Sequence, residues 1–194
     1  SLHTVALYAA PFFNGNSTSP ADGMEKSYRE LSHILTLAGR EDLIPCSYRG
    51  SDAYLPDEKT PVLSDAARDL VARAMNYSAQ SPLTVLAIGA ITNIASALLL
   101  KPEIAERLHV IWLGGHAHSY CDTKEFNMWQ DIAAARVVMS LAGRFTQIPC
   151  HGVTHALTIS KPELEVFFIG KNPLADYLAK NTIRAADSYA AGKD

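Results

Sequence analysis

Short apolar runs alternate with helix-length segments along the whole chain, and this alternation constrains the fold more than any other feature. Thr4–Ala10, Leu43–Cys46, Leu83–Ile88, Val110–Leu113 and Phe145–Pro149 read as strands. Gly23–Ala38, Ser64–Ala79, Ile94–Leu100, Asp131–Leu141, Lys161–Phe168 and Leu174–Ala191 read as helices, and Glu103–Leu108 as a further helical turn. In the first of these, Met24, Tyr28, Leu31, Ile34, Leu35 and Ala38 share a face, and Gly39 suits the cap that follows. Strands separated by helices of this length imply βαβ units. The expected fold is therefore α/β: an open, mostly parallel sheet with helices on both faces. The 194 residues suffice for a single domain, and no linker, repeat or low-complexity tract divides them.

Composition removes several classes of function. A net charge of −3 argues against nonspecific nucleic-acid binding, which needs clustered Lys and Arg. No apolar run approaches the length of a membrane span. Cys46, Cys121 and Cys150 lack metal-ligand spacing and read as buried thiols, so nothing demands an oxidising compartment. The sequence opens at Ser1 with neither an initiator Met nor a signal peptide.

In a parallel sheet, ligands sit beyond the carboxyl ends of the strands. Four such exits are polar: Asn14-Gly15-Asn16, Thr92-Asn93, the loop from Gly114-Gly115 to Glu125-Phe126-Asn127, and His151 to His155. Asn and Glu side chains suit sugar hydroxyls, since each hydroxyl both donates and accepts. Glu125 and Asn127, at i and i+2, point to one side if their loop is extended. Each residue also has an ordinary reading. Asn14 and Asn16 suit a turn, Thr92-Asn93 a helix cap, and His151 and His155 structural positions. His116 and His118 sit two apart like a metal pair, but no third ligand is evident. No GxSxG, phosphate-binding or dinucleotide-binding motif is present.

Taken in order, LAIGAITNIASALLLKPEIAERLHVIWLGG, EFNMWQDIAAARVVM and IPCHGVTHAL resemble the inosine-uridine-preferring nucleoside hydrolase family. The resemblance runs from about Thr4 to the C-terminus and is clearest from Leu83 to Leu157. It implies hydrolysis of the N-glycosidic bond of ribonucleosides to ribose and a free base. It also implies a calcium ion that holds the ribose 2′ and 3′ hydroxyls and the attacking water, with an aspartate as general base. Glu125 and Asn127 match ribose-binding positions, and Asn16, with Asn14 as the fallback, matches a ribose-contacting Asn. Thr92 matches a residue whose backbone carbonyl ligates calcium. Family members usually form homo-oligomers.

Three departures qualify the match. The family's Asp-rich segment, which supplies the base and most metal carboxylates, has no counterpart after Ser1. Its late His-Asp pair has none before Asp194. The Asn usually found before Glu-Phe-Asn is absent; Ser119 lies near its place, with His116 and His118 beside it as possible substrate-loop residues. The sequence thus looks like one domain incomplete at both ends, inactive by itself, with sheet edges exposed by a lost first strand. The alternative is a noncatalytic nucleoside- or sugar-binding protein on the same fold.

Overall fold

The computed structural model describes residues 3–190. The expected alternation is present, and all strand pairs are parallel. The strands are β1 (Leu7–Tyr8), β2 (Ser47–Tyr48), β3 (Leu83–Ala87), β4 (Leu108–Leu113) and β5 (Arg144–Ile148). The α-helices are α1 (Pro20–Leu37), α2 (Asp65–Ala74), α3 (Thr92–Leu100), α4 (Phe126–Gln130), α5 (Ile132–Leu141), α6 (Lys161–Phe167) and α7 (Pro173–Ala190). Ala191, the expected end of the last helix, lies outside the described residues.

The strands do not form one continuous sheet. β1 pairs with β2, while β3, β4 and β5 form a separate ladder in that order. In register, Leu83 faces Leu108 and Val110 faces Phe145. Helices flank both faces of the β1–β2 pair. Tyr8 and Tyr48 turn one way: the Tyr8 hydroxyl donates to Asp69 and the Tyr48 hydroxyl accepts from Arg73, both on α2. Arg49 turns the other way, donating to Glu25 and covering Tyr28 on α1. This is the period-two alternation of strand side chains.

The main core lies between the three-stranded ladder and α2, α3 and α5. Leu70, Leu98, Val110, Trp112 and Val138 are all fully enclosed there. Each such side chain contributes about 2 kcal/mol of hydrophobic stabilisation. Trp112 also places its indole N–H 2.9 Å from the Gly89 carbonyl, so its polar edge is satisfied inside the core. On the opposite face of β3 and its exit turn, Leu86 is 61% and Ile88 81% exposed. α7 packs against α1 and α6.

Several boundaries depart from expectation: β1 is confined to Leu7–Tyr8 and β4 starts two residues early, at Leu108, and three others have a local reason. Residues Glu41–Cys46 form a 3₁₀ turn, and the strand starts at Ser47 instead of Leu43. Pro45 has no N–H to give a ladder. α2 stops at Ala74, five residues short of the expected end, because Arg107 takes the Met75 and Tyr77 carbonyls from the side. α1 starts earlier, at Pro20, with Ser19 as its cap and Pro20 in its first turn, where a missing N–H is harmless.

Candidate functional site

Parallel strands place all their exits at one end of the molecule, and the polar exits gather there. The loop after β4 is the best defined. Gly115 adopts φ 74°, a left-handed turn suited to glycine. The chain then crosses residues 116–124 and enters α4 at Glu125. Glu125 and Asn127 therefore do not lie on an extended segment, as their spacing had suggested. Glu125 is the N-cap of α4 and Asn127 sits in its first turn. The physical reason is the carboxylate itself. It accepts from Asn127 N–H at 3.0 Å and Met128 N–H at 3.0 Å, two of the donors that a helix start leaves unpaired. It also accepts from Gly115 N–H at 2.8 Å, closing the loop onto its own strand exit. Glu125 is only 6% exposed. Asn127 donates its amide N–H to Leu113 O at 2.9 Å, which ties the first turn of α4 to the top of β4.

The loop after β1 reaches the same place. Gln130, on the last turn of α4, clamps the Phe13 backbone from both sides: Phe13 N–H donates to Gln130 Oε1 at 2.7 Å, and Gln130 Nε2 donates to Phe13 O at 3.1 Å. The Tyr54 hydroxyl donates to the same Gln130 oxygen. Asn14 and Asn16 follow directly, and both are exposed. Asn14 Oδ1 accepts from Asn16 N–H, which is the turn role open to either residue. The Asn16 side chain makes none of these contacts, and its carbonyl accepts from Lys26.

The exit of β3 is tied in from beneath. Thr92 begins α3, is fully buried and donates its hydroxyl to Asp131 at 2.7 Å. Asp131, 3% exposed, is the N-cap of α5. Its second oxygen accepts from Ala134 N–H at 2.9 Å, and Leu55 N–H donates to the oxygen that holds Thr92. Asn93 bridges Ser51 N–H and Ala9 O, each at 2.8 Å. Asp131, Asn93 and Gln130 thus join the exits of β1, β2, β3 and β4. The sequence marked Asp131 only as a helix start and gave no sign of Gln130, because these roles depend on tertiary proximity. Burial and the negative charge of Asp131 hold the Tyr54 phenol in its neutral form to higher pH than usual.

His116, His118 and Ser119 go elsewhere. Ala117 N–H bonds to His151 O, and His116 Nδ1 accepts from His151 N–H at 3.2 Å. His116, Tyr120, His151 and His155 form a chain of ring contacts beside the exit of β5, with His116 and His151 centroids 4.5 Å apart. His118 and Ser119 are exposed on the outer part of that loop.

The calcium implied by the resemblance can be tested against these donors. Among the described residues, no three His, Cys, Asp or Glu side chains gather as a metal-binding group. Each carboxylate oxygen of Glu125 and Asp131 already accepts from N–H or O–H donors. As the first residue of α3, Thr92 has its carbonyl at the start of that helix's own ladder. A neutral carbonyl without carboxylates falls far short of the six to eight oxygens calcium takes. Residues 3–190 do not fit calcium by themselves.

The family model for inosine-uridine preferring nucleoside hydrolases matches residues 5–193. The chain belongs to this family. An inosine-uridine preferring nucleoside hydrolase of Leishmania major is 27% identical over 154 residues, spanning 75% of this chain and 49% of the relative. A pyrimidine-specific ribonucleoside hydrolase of Salmonella enteritidis is 27% identical over 178 residues, spanning 80% of this chain and 57% of that one. The chain thus spans about half the length of these curated relatives. The solved purine-preferring ribonucleoside hydrolase from Gardnerella vaginalis superposes with a TM-score of 0.64 at 21% identity, covering 80% of this chain and 57% of that one. That likeness establishes a common fold.

Proposed function

We propose that this chain provides the ribose-facing part of a ribonucleoside N-glycosidic hydrolase, one that releases ribose and a free base. What supports the reading is that the exits of β1, β3 and β4 are tied together, Gln130 to Phe13, Asp131 to Thr92 and Glu125 to Gly115, with Asn127 on α4 and Asn14–Asn16 following Phe13. Asn127 Oδ1 and the Asn16 side chain supply acceptors and donors for the 2′ and 3′ hydroxyls of ribose. Hydroxyl contacts that tighten as the sugar approaches an oxocarbenium ion lower the barrier to glycosidic cleavage. Glu125 acts from behind Asn127: its three backbone contacts set where α4 begins, and so where Asn127 stands.

Calcium and the general base belong to polypeptide other than residues 3–190 in this reading, and no catalytic step is assigned to the metal here. On this reading the 194 residues alone are expected to bind ribose weakly and not to turn over. The base preference is left open by the relatives, which are described as inosine-uridine preferring, pyrimidine-specific and purine-preferring. The test is ribose release from a nucleoside panel by the full-length protein carrying Asn127→Ala. The expected result is a fall in kcat/KM of tenfold or more, about 1.4 kcal/mol at the transition state. Unchanged kcat/KM overturns the ribose-facing role. Intact nucleoside binding without release in the unsubstituted full-length protein favours the noncatalytic alternative.

A further inference from the structure

Residues 116–124 form a flap whose two feet are pinned together. At one foot Gly115 turns the chain with φ 74°, and at the other Glu125 caps α4. The Glu125 carboxylate accepts from Gly115 N–H at 2.8 Å, so the chain leaves and returns at one point, as in an Ω-loop. The flap lies on the exit of β5. Cys150 N–H donates to Gly115 O at 2.8 Å, and Ala117 N–H to His151 O at 2.9 Å. Gly152, at φ 109°, allows this approach: a Cβ there would sit 2.6 Å from Ala117 Cβ. Two further contacts are of another kind. His151 N–H donates to His116 Nδ1 at 3.2 Å, and Gly152 N–H donates to His155 Nδ1 at 3.1 Å. An imidazole accepts at Nδ1 only when neutral with its proton on Nε2, whereas the imidazolium is a donor at both nitrogens. Both contacts therefore select neutral rings.

The rings also crowd one another. His116 and His151 have centroids 4.5 Å apart, His151 and His155 5.7 Å, and Tyr120 of the flap stacks on His151 at 5.3 Å. Little around them offsets a positive charge. Among the described residues, no ion pair involves a histidine. On the flap, Asp122 accepts from Lys124 N–H; on α4, the Glu125 oxygens accept from Gly115, Asn127 and Met128 N–H. The other ionisable groups on the two loops are His118, Cys121, Lys124 and Cys150, and β5 contributes the neutral amide of Gln147.

We propose that His116 and His155 make this flap acid-released: closed on the β5 exit while both imidazoles are neutral, and freed once they are protonated. The open flap binds more protons than the closed one. Closure is therefore complete at high pH and is lost as pH falls through the range where histidine takes up its proton, about pH 5–8. A protonated His116 turns an N–H toward the His151 N–H, and charge on His155 adds repulsion along the chain of rings. Release gives up the His116 and Ala117 contacts. The feet stay pinned, because the Glu125 contacts involve no histidine. The movement is thus a swing of residues 116–124 that leaves α4 folded. The flap leads into the turn that carries Asn127, so its swing changes what borders the strand exits. The release itself does not rest on the ribose-facing reading.

The test is amide hydrogen exchange in the full-length protein at about pH 8 and about pH 5.5, read as protection factors so that the intrinsic pH dependence of exchange drops out. The expected result is a fall of about tenfold or more in the protection of Ala117, His151 and Gly152 at the lower pH, while Gly115 and the β4 amides hold. Asn places a non-titrating acceptor near the position of Nδ1. His116→Asn with His155→Asn should therefore keep the same protection at both pH values. Protection in the unsubstituted protein that is equal at the two pH values overturns the proposal. An equal fall in the double variant assigns the effect to another group and also overturns it. If the double variant has lost β4 protection at the higher pH, the imidazole ¹⁵N shifts of the unsubstituted protein decide. The Nε2–H tautomer at both His116 and His155 is expected at the higher pH, and the Nδ1–H tautomer at either one overturns the proposal.

Discussion

Replacing Asp131 tests the joint between two strand exits. Its carboxylate is 3% exposed and accepts from Thr92 Oγ1, Leu55 N–H and Ala134 N–H at 2.7, 2.9 and 2.9 Å. Asp131→Asn keeps the shape but has only one acceptor oxygen. If that oxygen stays with Thr92 and Leu55, the amide nitrogen meets Ala134 N–H, donor against donor. The cap of α5 is then lost, at a cost of about 2 kcal/mol. Asp131→Ala strands all three donors and costs about 3–5 kcal/mol, a large share of the stability of an ordinary domain. Thr92→Val alone removes one hydroxyl bond, worth about 1.5 kcal/mol. Made together with Asp131→Ala, it removes a hydroxyl that no longer has its partner and costs almost nothing more. A double-mutant cycle in urea should therefore show a coupling of about 1 kcal/mol or more, with midpoints shifted at constant slope. Additivity within about 0.3 kcal/mol, or an Asp131→Asn penalty below about 0.5 kcal/mol, would refute the joint as described.

Two further perturbations probe neighbouring parts of the frame. Burial first, then hydrogen bonding to Asp69 and its charge, push the Tyr8 phenol far above its ordinary range. A group whose folded pKa is raised adds stability that is full below its unfolded value and lost as pH rises. The chain should thus weaken above about pH 10, and Tyr8→Phe should flatten that alkaline decline; an equally steep decline in the variant would rule out Tyr8 as its source. Gln130→Ala removes both contacts to Phe13, so amide exchange in residues 13–17 should accelerate several-fold while the β4 amides stay protected; unchanged exchange in the loop would mean that Gln130 does not hold it.

The alternation of strands and helices was readable because periodicity is a local property. Leu83–Ala87 and Ile132–Leu141 lie within a residue of where their patterns placed them. What the pattern could not carry was decided by groups far apart in sequence. Arg107 ends α2 from thirty residues away, and Pro45 moves β2 by denying it a donor. The division of the strands into two ladders is likewise invisible to periodicity, since each strand looks the same whether its second edge is paired or free.

The site divides in the same way. Glu125, Asn127, Thr92 and Asn16 could be picked out as polar residues at strand exits, and the structure does bring those exits together. Their contacts are another matter. Glu125 faces three backbone N–H groups and Thr92 faces Asp131, so both are held inside the frame and do not project freely. His116, His118 and Ser119 look equivalent in sequence, yet their loop folds toward His151, on the β5 side.

The most direct measurement is ribose release from inosine and uridine, with calcium present, by the 194-residue chain and by the full-length protein side by side. Release by the full-length protein alone is the result this account predicts, because in the proposed reading residues 3–190 supply ribose-facing groups while the carboxylates for metal and base come from elsewhere. Calcium-dependent release by the 194 residues themselves would contradict it.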